Sequence, residues 1–208
     1  MRVLPLRARA YVWLIAGLGV ATLVAAAGVG PVLATSELGL AASLLGLGIL
    51  AQHFPLEVAP HHKIDMSLAA YFAALLLFPP AAAVVLAGLA QALGQASLAL
   101  RRNPATGRRR RGLRGILFNT GQLVVATALG GLVYVGLGLP DLLTIPASAL
   151  TLYLANYFAV QAMLWLEDGF NGPPALAELA RQSPEFAALC VVGLVTAIAG
   201  RQTVLAPV

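Results

Sequence analysis

Charge along this chain is confined to a few short islands, and between the islands lie apolar runs long enough to cross a bilayer. Ionised side chains are costly in hydrocarbon, so such segregation separates lipid-buried spans from wet loops. The first run falls within residues 11–31 and the second at 38–54, and a weakly polar stretch, 55–66, follows. Residues 67–100 carry no formal charge, yet one helix of that length would reach about 50 Å against a hydrocarbon core of about 30 Å. The Pro79-Pro80 pair must break it, because proline removes a backbone donor and disfavours helical geometry in the residue before it. The pattern therefore predicts a short helix at 67–78 and a full one at 80–100.

A fifth span lies within 115–138 and a sixth within 142–166, joined by the tight turn Gly138-Leu139-Pro140-Asp141. The seventh begins near Phe186 and reaches Gly200. Between six and seven, residues 167–185 carry charges of both signs and Pro173-Pro174, and a short interfacial helix is expected at 175–182. The fold class is all-α: a polytopic membrane helix bundle of about seven transmembrane segments, one of them short. The short segment either dips into the bilayer and returns, or crosses with extended chain from Ile64 onward. A cytoplasmic N-terminus with full crossing puts twelve of the 13 Lys and Arg residues on the cytoplasmic side, with Arg201 the exception, which favours crossing.

Composition narrows the reading. The chain has 208 residues, 60% hydrophobic and 10% charged, which leaves room for roughly six to eight helices and for no soluble domain. A net charge of +5 would suggest nucleic acid in a soluble protein, but here the basic residues flank apolar runs, so no nucleic-acid partner is expected. The island Arg101, Arg102, Arg108, Arg109, Arg110, Arg111 and Arg114 reads as a topology determinant that touches anionic lipid headgroups or a cytoplasmic partner. Arg2, Arg7 and Arg9 before an apolar run imitate a secretory signal, but the run is longer than such signals have, and it reads as the first span. The single cysteine, Cys190, lies in an apolar segment and reads as a small buried side chain. The apolar residues 203–208 look like the start of an eighth span, so this single membrane domain, 1–208, either stands alone or is truncated before an eighth span and a cytoplasmic output domain.

The chemistry-bearing candidates are amides inside the spans. Gln91 and Gln95 lie four apart on one helix, Asn119 and Gln122 three apart on another, and Asn156 and Gln161 share a third. Amides in hydrocarbon need partners, so these six either bond one another across helices or line a polar pocket for a small ligand. His53, His61 and His62 with Glu57 and Asp65 contain the atoms of a metal site. Pro55 and Pro60 argue against the helix that would align them, so no metal and no cofactor is expected. A pH-sensitive loop there is the other chemical option. Small residues at Gly17 with Ala21, Gly88 with Ala92 and Ala90 with Gly94 permit close helix approach within the monomer or in a homodimer. Trp13, Tyr134, Tyr153, Tyr157 and Trp165 include candidates for interfacial anchors.

The segment from His53-Phe54-Pro55 to Leu77-Phe78-Pro79, followed by Leu117-Phe118-Asn119-Thr120-Gly121-Gln122-Leu123 and Leu154-Ala155-Asn156-Tyr157, resembles the membrane input module of bacterial signalling proteins. In that group a multi-span domain precedes a cytoplasmic HD-type phosphohydrolase or diguanylate cyclase domain. The resemblance implies a non-catalytic sensor in the inner membrane; no HD pair or GGDEF motif occurs here, so no enzyme activity is expected of these residues. Pro79-Pro80-Ala81 to Gly88, with Gly94-Gln95, is also similar to the small-residue helix of substrate-binding subunits of energy-coupling-factor vitamin transporters. That similarity implies a binding subunit for a vitamin-like molecule.

Overall fold

The structure, a computed structural model, describes residues 4–30, 33–54, 56–59, 62–64, 66–100, 112–138, 140–168 and 175–205. Among these residues the elements are α1 Leu6–Val29, α2 Leu38–His53, α3 Ser67–Leu77, α4 Pro80–Leu100, α5 Leu113–Gly136, α6 Asp141–Asp168 and α7 Ala175–Leu205. A 3₁₀ turn, Thr35–Glu37, leads into α2, and Glu37 accepts the Ala34 N–H at 2.7 Å. Between α2 and α3 a two-stranded antiparallel hairpin, β1 Leu56–Ala59 and β2 His62–Ile64, covers part of the weakly polar stretch 55–66. Among the described residues six helices are long and apolar enough to cross a membrane, and the chain is an all-α multi-pass membrane protein. Large apolar side chains such as Leu14, Val135 and Val191 cover the outside, while alanines, glycines and amides fill much of the inside. That inversion suits a solvent of acyl chains.

Helix α3 occupies the centre. Nine of its 11 residues are buried, so a helix too short to span needs no lipid-facing surface. It runs antiparallel to α2: Tyr71 faces Gly48, while Leu77 reaches Gly200 at the level of Leu40. The chain then reverses into α4, so α3 passes along the bundle instead of dipping in and returning. The break is where the prolines require it. Phe78 is extended (φ −119°, ψ 162°), as a residue before proline prefers, and Pro80 takes the first helical position of α4, where no N–H is needed.

Pro80 cannot donate to the Leu76 carbonyl four residues back, which leaves that acceptor orphaned in an apolar interior. Arg201 of α7 fills the gap, its Nη2 donating to Leu76 O at 3.0 Å. A cation at the C-terminal end of a helix also meets the negative end of its dipole. Arg7 of α1 does the same at the other end of the bundle, donating from Nε to Leu166 O in the last turn of α6 at 3.2 Å. Arg201→Leu is expected to lower stability in mild detergent by about 1–2 kcal/mol, with Arg201→Lys intermediate. An unchanged melting temperature for Arg201→Leu would show that the cap contributes nothing.

Three expectations are corrected. The interfacial helix at 175–182 and the span from Phe186 form one helix, α7, which runs through Pro184. Pro184 leaves the Ala180 carbonyl without its usual donor, and the Ser183 hydroxyl supplies one at 2.9 Å. Gly17 and Ala21 face outward, with nothing near Gly17; the close approach uses Gly19, whose added Cβ would collide with the Gly121 backbone. Tyr153 and Tyr157 are buried in the bundle, Tyr153 stacked on Phe186 at 4.1 Å, so neither is an interfacial anchor.

Candidate functional site

A chain of polar side chains crosses four helices near one end of the bundle. Asn119 Nδ2 of α5 donates to Gln95 Oε1 of α4 at 3.3 Å, and Gln95 Nε2 donates to Gln52 Oε1 of α2 at 3.0 Å. Gln52 Nε2 then donates to the Tyr71 hydroxyl of α3 at 3.2 Å, and Tyr71 donates to Gln91 Oε1, back on α4, at 3.0 Å. Every donor points the same way along this path. Gln95 and Gln52 each accept through oxygen and donate through nitrogen, and Tyr71 accepts one bond and donates the next. Such head-to-tail order lets each bond polarise its neighbour in a medium of low dielectric.

Gln52 is the hub. Besides Tyr71, its Nε2 lies 3.2 Å from Gly48 O and 3.0 Å from Ala90 O, so two N–H groups are shared among three acceptors. The amide fits because Gly94 has no side chain: an added Cβ would stand 2.5 Å from Gln52 Cδ. Gly48 makes similar room for Tyr71, with Cε1 2.9 Å from where its Cβ would be. These glycines are required by close approach, and Gly94 admits an amide where a packed backbone was expected.

Next to the hub, His53 ends α2 and joins it to α4. Its Nδ1 lies 2.9 Å from Ile49 O, its Nε2 lies 3.0 Å from Ser97 Oγ, and Ser97 donates to Gly94 O at 2.7 Å. A carbonyl only accepts, so Nδ1 carries a proton.

Of the six amides read from the sequence, Gln91, Gln95 and Asn119 belong to this chain. Gln122 does not: its Oε1 is buried without a partner, as is Thr120 Oγ1 on the same helix. Asn156 and Gln161 are half-buried on α6, and none of the hydrogen bonds of the path reaches them. Gln52 and Tyr71 were missed. Gln52 sits two residues before a proline-bearing loop, and a tyrosine in an apolar run reads as an anchor or core residue; an amide and a phenol at helix ends flanking one loop were the available signal.

Arg114 is exposed at the start of α5, while Arg101, Arg102 and Arg108 to Arg111 lie outside the described residues. So do the side chains of Glu57, His61, His62 and Asp65. Among the described residues no three His, Cys, Asp or Glu side chains come together in a way that could hold a metal. No protein family, no curated protein and no solved structure matches this chain.

Proposed function

We propose that the chain is a non-catalytic input module of a bacterial signalling protein, seated in the inner membrane with its N-terminus in the cytoplasm. The path Asn119–Gln95–Gln52–Tyr71–Gln91 is its two-state element and α7 its exit. One observation carries this reading: α3 touches both. Tyr71 belongs to the polar path, while Ala69 and Phe72 lie against Gly193 of α7, where an added Cβ would be 2.8 Å from Ala69 O and 3.1 Å from Phe72 Cδ1. A shift of α3 that breaks the Tyr71 bonds therefore reaches α7 directly. Whatever is sensed must bind the two packings unequally.

Asn119 is the path's open end and makes its longest bond, so Asn119→Leu is expected to cost only about 0.6 kcal/mol of stability while abolishing the stimulus-dependent output. Normal signalling by this variant would remove the path from the mechanism. The intact mass of the protein captured from its native membrane tests the reading as a whole. A mass larger than 21.4 kDa by a domain, or co-capture of a signalling partner, supports an input module. A mass of 21.4 kDa with no such partner overturns it.

A second reading rests on the unpartnered oxygens of Gln122 and Thr120, which flank Gly121 and could accept bonds from a small polar ligand. It makes the chain a substrate-binding subunit of a transporter. Co-purification of a vitamin-like molecule and an ATP-hydrolysing partner would support it, and their absence after mild extraction would count against it.

A further inference from the structure

Helices α6 and α7 meet at the Tyr153–Phe186 stack and part toward the start of α6, leaving an open cleft of about 290 Å³. Phe72 of α3 and Ala149 of α6 form its floor, Ile145 and Leu194 line its walls, and Asp141 stands at its mouth. The floor is buried, Phe72 being 2% and Ala149 7% exposed, while the rim is part of the lipid-facing belt, Leu142 being 83% and Val191 60% exposed. The cleft is thus continuous with the surface that the bilayer covers.

We propose that this cleft holds one acyl chain of an amine-bearing phospholipid, with the head group at Asp141. The cavity is far too small for a helix, whose diameter with side chains is about 10 Å, but it suits a flexible hydrocarbon chain. Its lining is almost wholly apolar, which leaves a polar ligand nothing to bond along its length. Left empty, the walls would lose the dispersion contacts that packed spans otherwise make. Asp141 selects the head group. It is the single charged residue of the lining, it sits in the first turn of α6 where the span meets the membrane surface, and its carboxylate complements an ammonium and repels an anionic head group.

The test is native mass spectrometry of the protein reconstituted in equal phosphatidylethanolamine and phosphatidylglycerol and released into mild detergent. Wild type is expected to retain one phosphatidylethanolamine. Ile145→Trp, which fills the cleft, should reduce retention at least about fivefold, and Asp141→Asn should keep a lipid but lose the head-group preference. Val191→Trp, at an exposed rim position, provides the same block if Ile145→Trp fails to fold. Wild type that retains no lipid, retains both lipids equally, or retains lipid undiminished in a folded tryptophan variant overturns the proposal.

Discussion

Gly121→Val is expected to detach α1 from the bundle and to lower stability by about 3 kcal/mol or more. A Cβ at Gly121 would lie 2.5 Å from Ile15 O and 3.0 Å from Ala16 Cα, both on the backbone of α1, and neither can rotate away as a side-chain tip could. Gly19 on α1 faces the same spot from the other side, so the two helices touch backbone to backbone. Separating them also loosens Val12, Ile15 and Phe118, which pack together there, and the Tyr11 hydroxyl bond to Ala159 O at 3.2 Å. Thermal unfolding in detergent measures the loss. Gly17→Val is the control: nothing lies within 4 Å of its Cβ position, so its melting should change little. Equal melting of the two variants would mean that the α1–α5 contact does not hold the bundle.

The helices were legible because spans announce themselves by length and by absence of charge, and because Pro79-Pro80 has one physical outcome in an apolar run. The seventh helix was read too short for an equally physical reason. A proline flanked by charged residues looks like a loop, and the Ser183 hydroxyl that replaces the missing bond declares itself only when its turn is built. The close-packing glycines show the same limit. Gly17 and Gly19 are two apart on one helix and look alike in sequence, yet one faces outward and the other meets Gly121, because only the partner helix decides which face is inner. Three of the five residues of the polar path, Gln91, Gln95 and Asn119, could be read, since amides in the middle of spans stand out. Gln52 could not be distinguished from a polar residue at a helix end, and it became the hub because Gly94, 42 residues later, leaves room for it.

Gln52→Leu is expected to cost about 2–3 kcal/mol, more than any other single change in the polar path, because it strands partners on three helices. Gln95 Nε2 loses its acceptor, Tyr71 loses a donor, and the carbonyls of Gly48 and Ala90 lose theirs. Gln95→Leu should cost less, about 1–2 kcal/mol, since in the path it frees two side-chain groups, Gln52 Oε1 and Asn119 Nδ2. The double variant separates an amide that is held by its neighbour from one that is held by something else. With both amides gone, neither leaves the other unpaired, so the combined loss should fall short of the sum by about 1 kcal/mol. Unfolding of the four proteins in one detergent gives that coupling. A value near zero would mean that Gln52 and Gln95 do not depend on each other, and the head-to-tail path would then lose its central bond. A clear coupling would establish Gln52 and Gln95 as one hydrogen-bonded unit at the centre of the path.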